Sequence, residues 1–280
     1  MKSLKEILVH SPETKYRIGV CLSGGGALGF AHIGVLQALE DYHIMPDVVS
    51  GSSMGSIIGA IYAAGYTPAQ MLQFIKEGNL YKVTNVMHFK PTFWKGGLSN
   101  HDTIFSVMNE FIPGNSFEKL EKLLFVCVSN LTTGEWEVIS SSEKLNMWIA
   151  ASCSIPGIFK ALEINKMMYV DGGLLNNVPS QPLRSVCEYV IGCDVLPHLS
   201  DKRPFKMRDT IVESIRVGQH QNSQPGRKLC DFLIEPEAIK KFHEFSFDSY
   251  QSIYQIGYRS AVQFITKNPD ILKLRVKKEK

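Results

Sequence analysis

Short, nearly continuous apolar runs recur along the chain, several of them stopped by glycine and followed by apolar residues at helical spacing. RIGVCLS, residues 17–23, is one such run, and its unbroken apolar character predicts a strand buried on both faces of a parallel sheet. Three glycines stop it, and ALGFAHIGVLQALEDY then sets Phe30, Ile33, Leu36 and Leu39 on one helical stripe. DVVS predicts a second strand, and MGSIIGAIYAAGY a second helix whose small residues suit close packing on a sheet. TPAQMLQFIKEG predicts a third helix, with Thr67 as cap and Pro68 at the first helical position.

Residues 79–100 lose this periodicity and carry Phe89, Phe93 and Trp94, which predicts a long surface excursion. A helix is expected over 101–112, then two strands in LLFVCVSNLTTGEWEVIS turning at 132–135, and a helix in LNMWIAASCSIP that runs into Pro156. KALEINKMMYVDGG reads as a hairpin turning at Asn165 and Lys166. Strands in YVIGCDV and DFLIEP and helices over 207–220 and 249–267 complete the pattern. Strands alternating with helices define an α/β protein with a mainly parallel central sheet. No linker-like stretch or internal repeat divides the chain. The expectation is therefore one domain, with an extension over 1–16, a core over 17–200, and 201–280 completing that core.

Composition narrows the function classes. With 44% hydrophobic and 20% charged residues in 280, the chain has the material for a sizeable core. A net charge of +3 without a basic stripe interleaved with aromatics argues against nucleic acid as a partner. The terminal RVKKEK reads as a solvated end. Six cysteines are scattered, with no CxxC pair, so buried free thiols are expected and structural zinc is not. The apolar part of MKSLKEILVHSPETK is too short for a signal-peptide core, and the apolar stretch around 57–64 falls short of the roughly 20 residues a membrane span needs. A soluble cytoplasmic protein is the expectation, with peripheral contact at the inner membrane surface compatible with it.

Three stretches carry chemistry. Gly51-Ser52-Ser53-Met54-Gly55 stands between a strand and a helix, where a tight turn would hold the Ser53 hydroxyl clear of the backbone and the helix N-terminus would offer free N–H groups. An isolated GxSxG is weak, because an ordinary glycine-serine turn gives the same letters. Gly24-Gly25-Gly26-Ala27-Leu28-Gly29 follows the first strand. It is compatible with a structural turn, with dinucleotide binding through Gly24, Gly26 and Gly29 plus Asp47, or with an oxyanion hole built from the N–H groups of Gly25 and Gly26. Asp47 stands at the beginning of the second strand, whereas a ribose-binding acid belongs at its carboxyl end, where the serine is. That placement argues against a nucleotide. Neighbouring parallel strands open on one crevice, so both glycine turns should meet there. Asp171-Gly172-Gly173 follows the strand MMYV and offers a carboxylate that can approach another backbone closely, although a turn-forming aspartate is the plainer reading. None of the eight histidines has an obvious catalytic context: His32 reads as structural, while His198, His220 and His243 stay open.

With these stretches in hand, the sequence resembles the patatin-like phospholipases, relatives of the calcium-independent phospholipases A2 and of the esterase domain of neuropathy target esterase. Gly24–Gly29, Gly51–Gly55, Ala151-Ser152-Cys153-Ser154-Ile155-Pro156 and Asp171-Gly172-Gly173 match in order, across most of the first 175 residues. The resemblance implies a three-layer α/β/α patatin-like fold, no metal or other cofactor, and hydrolysis of fatty-acyl esters of phospholipids or lysolipids. It also implies a Ser–Asp dyad without histidine. On that basis Ser53 is the nucleophile, Asp171 the base, and Gly25 and Gly26 the oxyanion donors, with Met54 adding a third N–H. Leu28 departs from the family, many of whose members carry Arg or Lys there, and this shifts the expectation towards neutral esters or lysolipids. Two rival readings remain: a Ser-His-Asp α/β-hydrolase, whose oxyanion loop normally lies farther upstream than the 27 residues between Gly26 and Ser53, and a non-catalytic lipid-binding relative.

Overall fold

The computed structural model describes residues 16–77, 101–196 and 207–276. The excursion expected at 79–100, with Phe89, Phe93 and Trp94, and His198 lie outside the described residues.

The apolar runs form strands as the pattern predicts. In chain order the elements are β1 (Tyr16–Leu22), α1 (Phe30–Asp41), β2 (Val48–Ser52), α2 (Met54–Ala63), α3 (Pro68–Lys76), α4 (Asp102–Phe111), β3 (Leu123–Asn130) and β4 (Glu135–Ile139). They continue with α5 (Leu145–Ser152), β5 (Leu162–Ile164), β6 (Met167–Asp171), α6 (Gln181–Val186), β7 (Cys187–Cys193), α7 (Met207–Arg227), β8 (Phe232–Ile234) and α8 (Tyr250–Lys267). The sheet order is β5-β6-β3-β2-β1-β7-β8, with β4 also on β3. Strands β3, β2, β1, β7 and β8 run parallel, while β4 and β6 are antiparallel to β3 and β5 is antiparallel to β6.

Alternation within each strand sorts side chains into two layers. Ile18, Val20, Leu22, Val49, Leu124, Val126, Val128 and Ile191 enter a large core shared with α1 to α5 and α8. Cys21, Val48, Phe125 and Val190 enter a smaller core on the other face, with Val178, Leu183 and Cys230. The result is a three-layer α/β/α arrangement with one thick and one thin helical layer. Helices α1 and α8 approach closely because a β-carbon on Gly34 would stand 2.1 Å from the Tyr254 carbonyl oxygen, and one on Gly257 2.1 Å from that of Ala31. All six cysteines are free thiols.

Thr67 caps α3 in a reciprocal box with Gln70, and Pro68 takes the first turn, as the sequence predicts. Asn165 and Lys166 both have positive φ, 53° and 65°, in the two-residue turn between β5 and β6. Asp47 is structural: its Oδ2 accepts the Ile18 N–H at 2.9 Å and ties the start of β2 to β1. No helix among the described residues is long and apolar enough to cross a membrane.

Pairing along β3 brings two strand ends together. Val126 and Cys127 pair with both β2 and β4, while Val128, Ser129 and Asn130 pair with both β4 and β6. A strand has two edges, so β2 and β6 lie end to end along the same edge of β3 and meet head-on. Ser52, the last residue of β2, is opposite Cys127, and Asp171, the last of β6, is opposite Val128.

Candidate active site

Where these two strand ends meet, the Ser53 hydroxyl donates a 2.6 Å hydrogen bond to Oδ2 of Asp171. Ser53 is the residue between β2 and α2, and its backbone adopts φ 51°, ψ −127°. A β-bearing residue reaches this region only under strain, of about 1–3 kcal/mol, which the surroundings must hold in place. They do so through the Ser53 N–H, which donates to Oγ of Ser152 at 2.9 Å, while that hydroxyl donates to the Cys127 carbonyl at 2.7 Å. The elbow also needs Gly55: a β-carbon there would stand 2.2 Å from the Leu22 carbonyl oxygen. Gly51 packs in the same way against the backbone of Gly55 and Ser56.

Asp171 is fixed from several directions. Its Oδ1 accepts the Gly173 N–H at 2.8 Å, its own N–H donates to the Ser154 carbonyl at 3.0 Å, and its carbonyl accepts the Ser129 hydroxyl at 2.8 Å. Gly172 presses on the Cys127 carbonyl, where any side chain would collide. Ser53 and Asp171 are 5% and 2% exposed, so water barely solvates the carboxylate. Burial therefore pushes the Asp171 carboxyl up from 3.8 to about 7; the Glu244 charge adds to the rise, and the hydrogen bonds from Ser53 and Gly173 oppose it.

The glycine loop lies against this pair. A β-carbon on Gly24 would be 3.2 Å from the Ser53 β-carbon, and one on Gly29 would be 2.3 Å from Cγ of Met54. The loop is tied at both ends, since Gly24 N–H donates to the Asn177 carbonyl at 3.3 Å and Ala27 N–H to the Glu244 carbonyl at 2.8 Å. Among the described residues no hydrogen bond occupies the N–H groups of Gly25, Gly26 or Met54. Gly26 has φ 54°, and a β-carbon on it would stand 2.4 Å from the Glu244 carbonyl oxygen. Such a loop offers donors to a developing negative charge.

His32 lies beneath the loop, wholly buried, with Nε2 2.8 Å from the Ser23 carbonyl and Nδ1 3.1 Å from the Cys193 sulfur. A carbonyl only accepts, so Nε2 carries the proton; burial lowers the His32 pKa to about 4 and the ring is neutral. It is the structural histidine that the sequence suggests. The hydrogen bonds that Ser53 donates go to Asp171 and Ser152, and among the described residues none joins its hydroxyl to a histidine. His243 stacks on Phe245, and His220 lies on α7. Leu28, the departure from the resembled pattern, is buried in the core.

Several contributors have no local sequence signature. Asn222, on α7, donates to the carbonyls of Gly173 and Leu174 at 3.0 and 2.8 Å and accepts the Asn177 N–H at 2.9 Å. Arg216, earlier on the same helix, pairs with Glu244 at 3.4 Å. No group of three or more His, Cys, Asp or Glu side chains among the described residues is arranged to hold a metal ion.

Comparison with known proteins agrees with this architecture. The Patatin-like phospholipase family matches residues 20–184, more than half of the chain. Lysophospholipase NTE1 of Kluyveromyces lactis is 24% identical over 89% of this chain and 19% of its own length, and that of Candida albicans 27% over 87% and 20%. Lysophospholipase NTE1 of Saccharomyces cerevisiae is 28% identical over 69% of this chain and 12% of its own length. The chain thus spans about a fifth or less of these relatives. Among solved structures, VipD from Legionella pneumophila superposes with a TM-score of 0.59 at 14% identity, over 92% of this chain and 67% of that one. By the extent of that family match, the chain belongs to the patatin-like phospholipase family, a family of lipid acyl hydrolases.

Proposed function

We propose that the protein hydrolyses fatty-acyl esters of phospholipids or lysolipids with Ser53 as nucleophile, Asp171 as its base, and the N–H groups of Gly25, Gly26 and Met54 as the oxyanion hole. The observation that carries this reading is the 2.6 Å hydrogen bond from the Ser53 hydroxyl to a buried carboxylate. Asp171 takes the hydroxyl proton as Oγ attacks the ester carbonyl. The glycine-loop N–H groups stabilise the oxyanion, the proton passes to the departing alcohol, and an acyl-serine remains. Water then donates a proton to the same carboxylate and releases the fatty acid. A free aspartate, at about 3.9, is a weak base for this task. Burial corrects the mismatch by bringing Asp171 close to neutral. Lysolipids are the favoured substrates, because the curated relatives are named lysophospholipases.

A fluorophosphonate probe tests the reading. Wild type should be labelled at residue 53 and Ser53→Ala should not; an unlabelled wild type would leave a lipid-binding protein without turnover, and full labelling of the variant would place the nucleophile elsewhere. The pH dependence gives a second test. The base works as the carboxylate, so kcat/KM should rise with pH through about 7 and level off above it. A profile flat from pH 5 to 8 would contradict a buried Asp171 as base.

A further inference from the structure

Asn177 is 1% exposed, and its Oδ1 accepts no hydrogen bond among the described residues. Buried polar atoms are normally partnered, and an exception at a reactive centre calls for a ligand. The residue's backbone is held in place, because the Asn177 N–H donates to Asn222 and its carbonyl accepts the Gly24 N–H. It faces the gap between the two glycine turns. A β-carbon on Gly24 would be 2.5 Å from this oxygen and 3.2 Å from the Ser53 β-carbon. A β-carbon on Gly173 would be 2.6 Å from the same oxygen, 2.8 Å from Nε2 of Gln219 and 3.1 Å from Oδ1 of Asp171. Three polar atoms thus converge on the space over Gly173, beside the nucleophile.

We propose that Asn177 is a catalytic residue for the second half of the reaction, its side-chain oxygen holding the water that hydrolyses the acyl-serine. The proposal rests on the Ser53–Asp171 reading. A water attacking an acyl-serine has two hydrogens to place. Once Oγ is acylated, Oδ2 of Asp171 is released and accepts one hydrogen, and Oδ1 of Asn177, which lies over Gly173 beside the same carboxylate, accepts the other. Gln219 Nε2 donates to one lone pair and the other points at the acyl carbon. As the new C–O bond forms, the proton on the Asp171 side moves to the carboxylate. The tetrahedral intermediate then expels Oγ, which takes that proton back, and the free fatty acid leaves. In the acylation half the nucleophile is the Ser53 hydroxyl and no water has to be held, so Asn177 has no role there and the two halves separate experimentally.

The experiment is rapid mixing with 4-nitrophenyl butyrate, intact-protein mass measurement and fluorophosphonate labelling, on wild type, Asn177→Ala and the similar-sized Asn177→Leu. Both variants should label at Ser53 within about threefold of the wild-type rate and release one equivalent of 4-nitrophenolate in a burst. They should then turn over about 50-fold more slowly, with a butyryl group on Ser53. Burst and steady state falling together, or no acyl-enzyme accumulating, would overturn the proposal. Loss of labelling in both variants would also overturn it, by making Asn177 a support of the nucleophile or of the fold. Failure of the underlying dyad looks different: wild type itself would then carry the butyryl group on a residue other than Ser53, and this assignment would fall with it.

Discussion

Asp171→Asn should lower turnover by about three orders of magnitude while making the folded protein more heat-resistant at pH 8. Both effects come from burial. In the proposed mechanism the amide cannot take the Ser53 proton, so the chemical step loses its base, although the side chain keeps its shape. The stability effect follows from linkage. A carboxyl raised from 3.8 to about 7 on folding binds its proton more tightly in the folded state. That contribution to stability is fully present below 3.8 and is lost as pH rises through about 7. Above that the folded protein carries a cost on the order of 4 kcal/mol, which a neutral side chain removes. The substituted amide would not recover all of it, because its one oxygen cannot serve both the Ser53 hydroxyl and the Gly173 N–H, at a loss of about 1–3 kcal/mol. Calorimetric melting should place the variant a few degrees above wild type at pH 8 and level with or below it at pH 4. An inactive variant that melted lower at both values would show that Asp171 is not held under this strain.

The second large effect concerns Gly26. Gly26→Ala should cut kcat by about 100- to 1,000-fold with little change in KM. Its φ of 54° is unfavourable for alanine, and the new β-carbon would meet the Glu244 carbonyl oxygen at 2.4 Å, so the loop or the 244 segment must move. Either movement breaks the Ala27 N–H bond to that carbonyl and re-aims the free N–H groups. Gly134→Ala is the control: φ there is also positive, 75°, but nothing stands within 4 Å of the added carbon. It should lose about 1 kcal/mol of stability and no activity. Equal activity loss in both variants would mean that backbone strain alone, and not loop geometry, was being measured.

Much of this arrangement is legible in the sequence because it is local. A glycine turn, a strand-to-helix serine and an aspartate before two glycines each announce themselves within six residues. So do the Thr67–Gln70 cap and the Asn165–Lys166 turn. The groups that hold them are not local. Ser152 reaches Ser53 across 99 positions, and Glu244 and Asn222 support loops far from them in the chain, through backbone contacts that no hydrophobic period records. Three elements differ from expectation, and the first is α5, which stops at Ser152, four residues before Pro156. Helix α6 is six residues long, too short to show a period. Helix α7 runs past the expected end at 220 to Arg227, through Pro225, because its last turns are anchored by tertiary contacts. Gly226 there lies so near the Val178 carbonyl that a β-carbon would stand 1.7 Å from it, and Arg227 joins Asp194 and Glu235.

The head-on meeting of β2 and β6 along β3 makes that strand a gauge. The gap between hydroxyl and carboxylate is set by one peptide step, Cys127 to Val128, and not by the length of any loop. The reactive geometry is therefore quantised. A one-residue slip of the β5–β6 hairpin would not stretch the contact slightly but would turn residue 171 to the opposite side of the sheet. Changes at Asn165 or Lys166, at the far tip of that hairpin, should then give mixtures of fully competent and fully silent molecules, and not a uniformly slower enzyme.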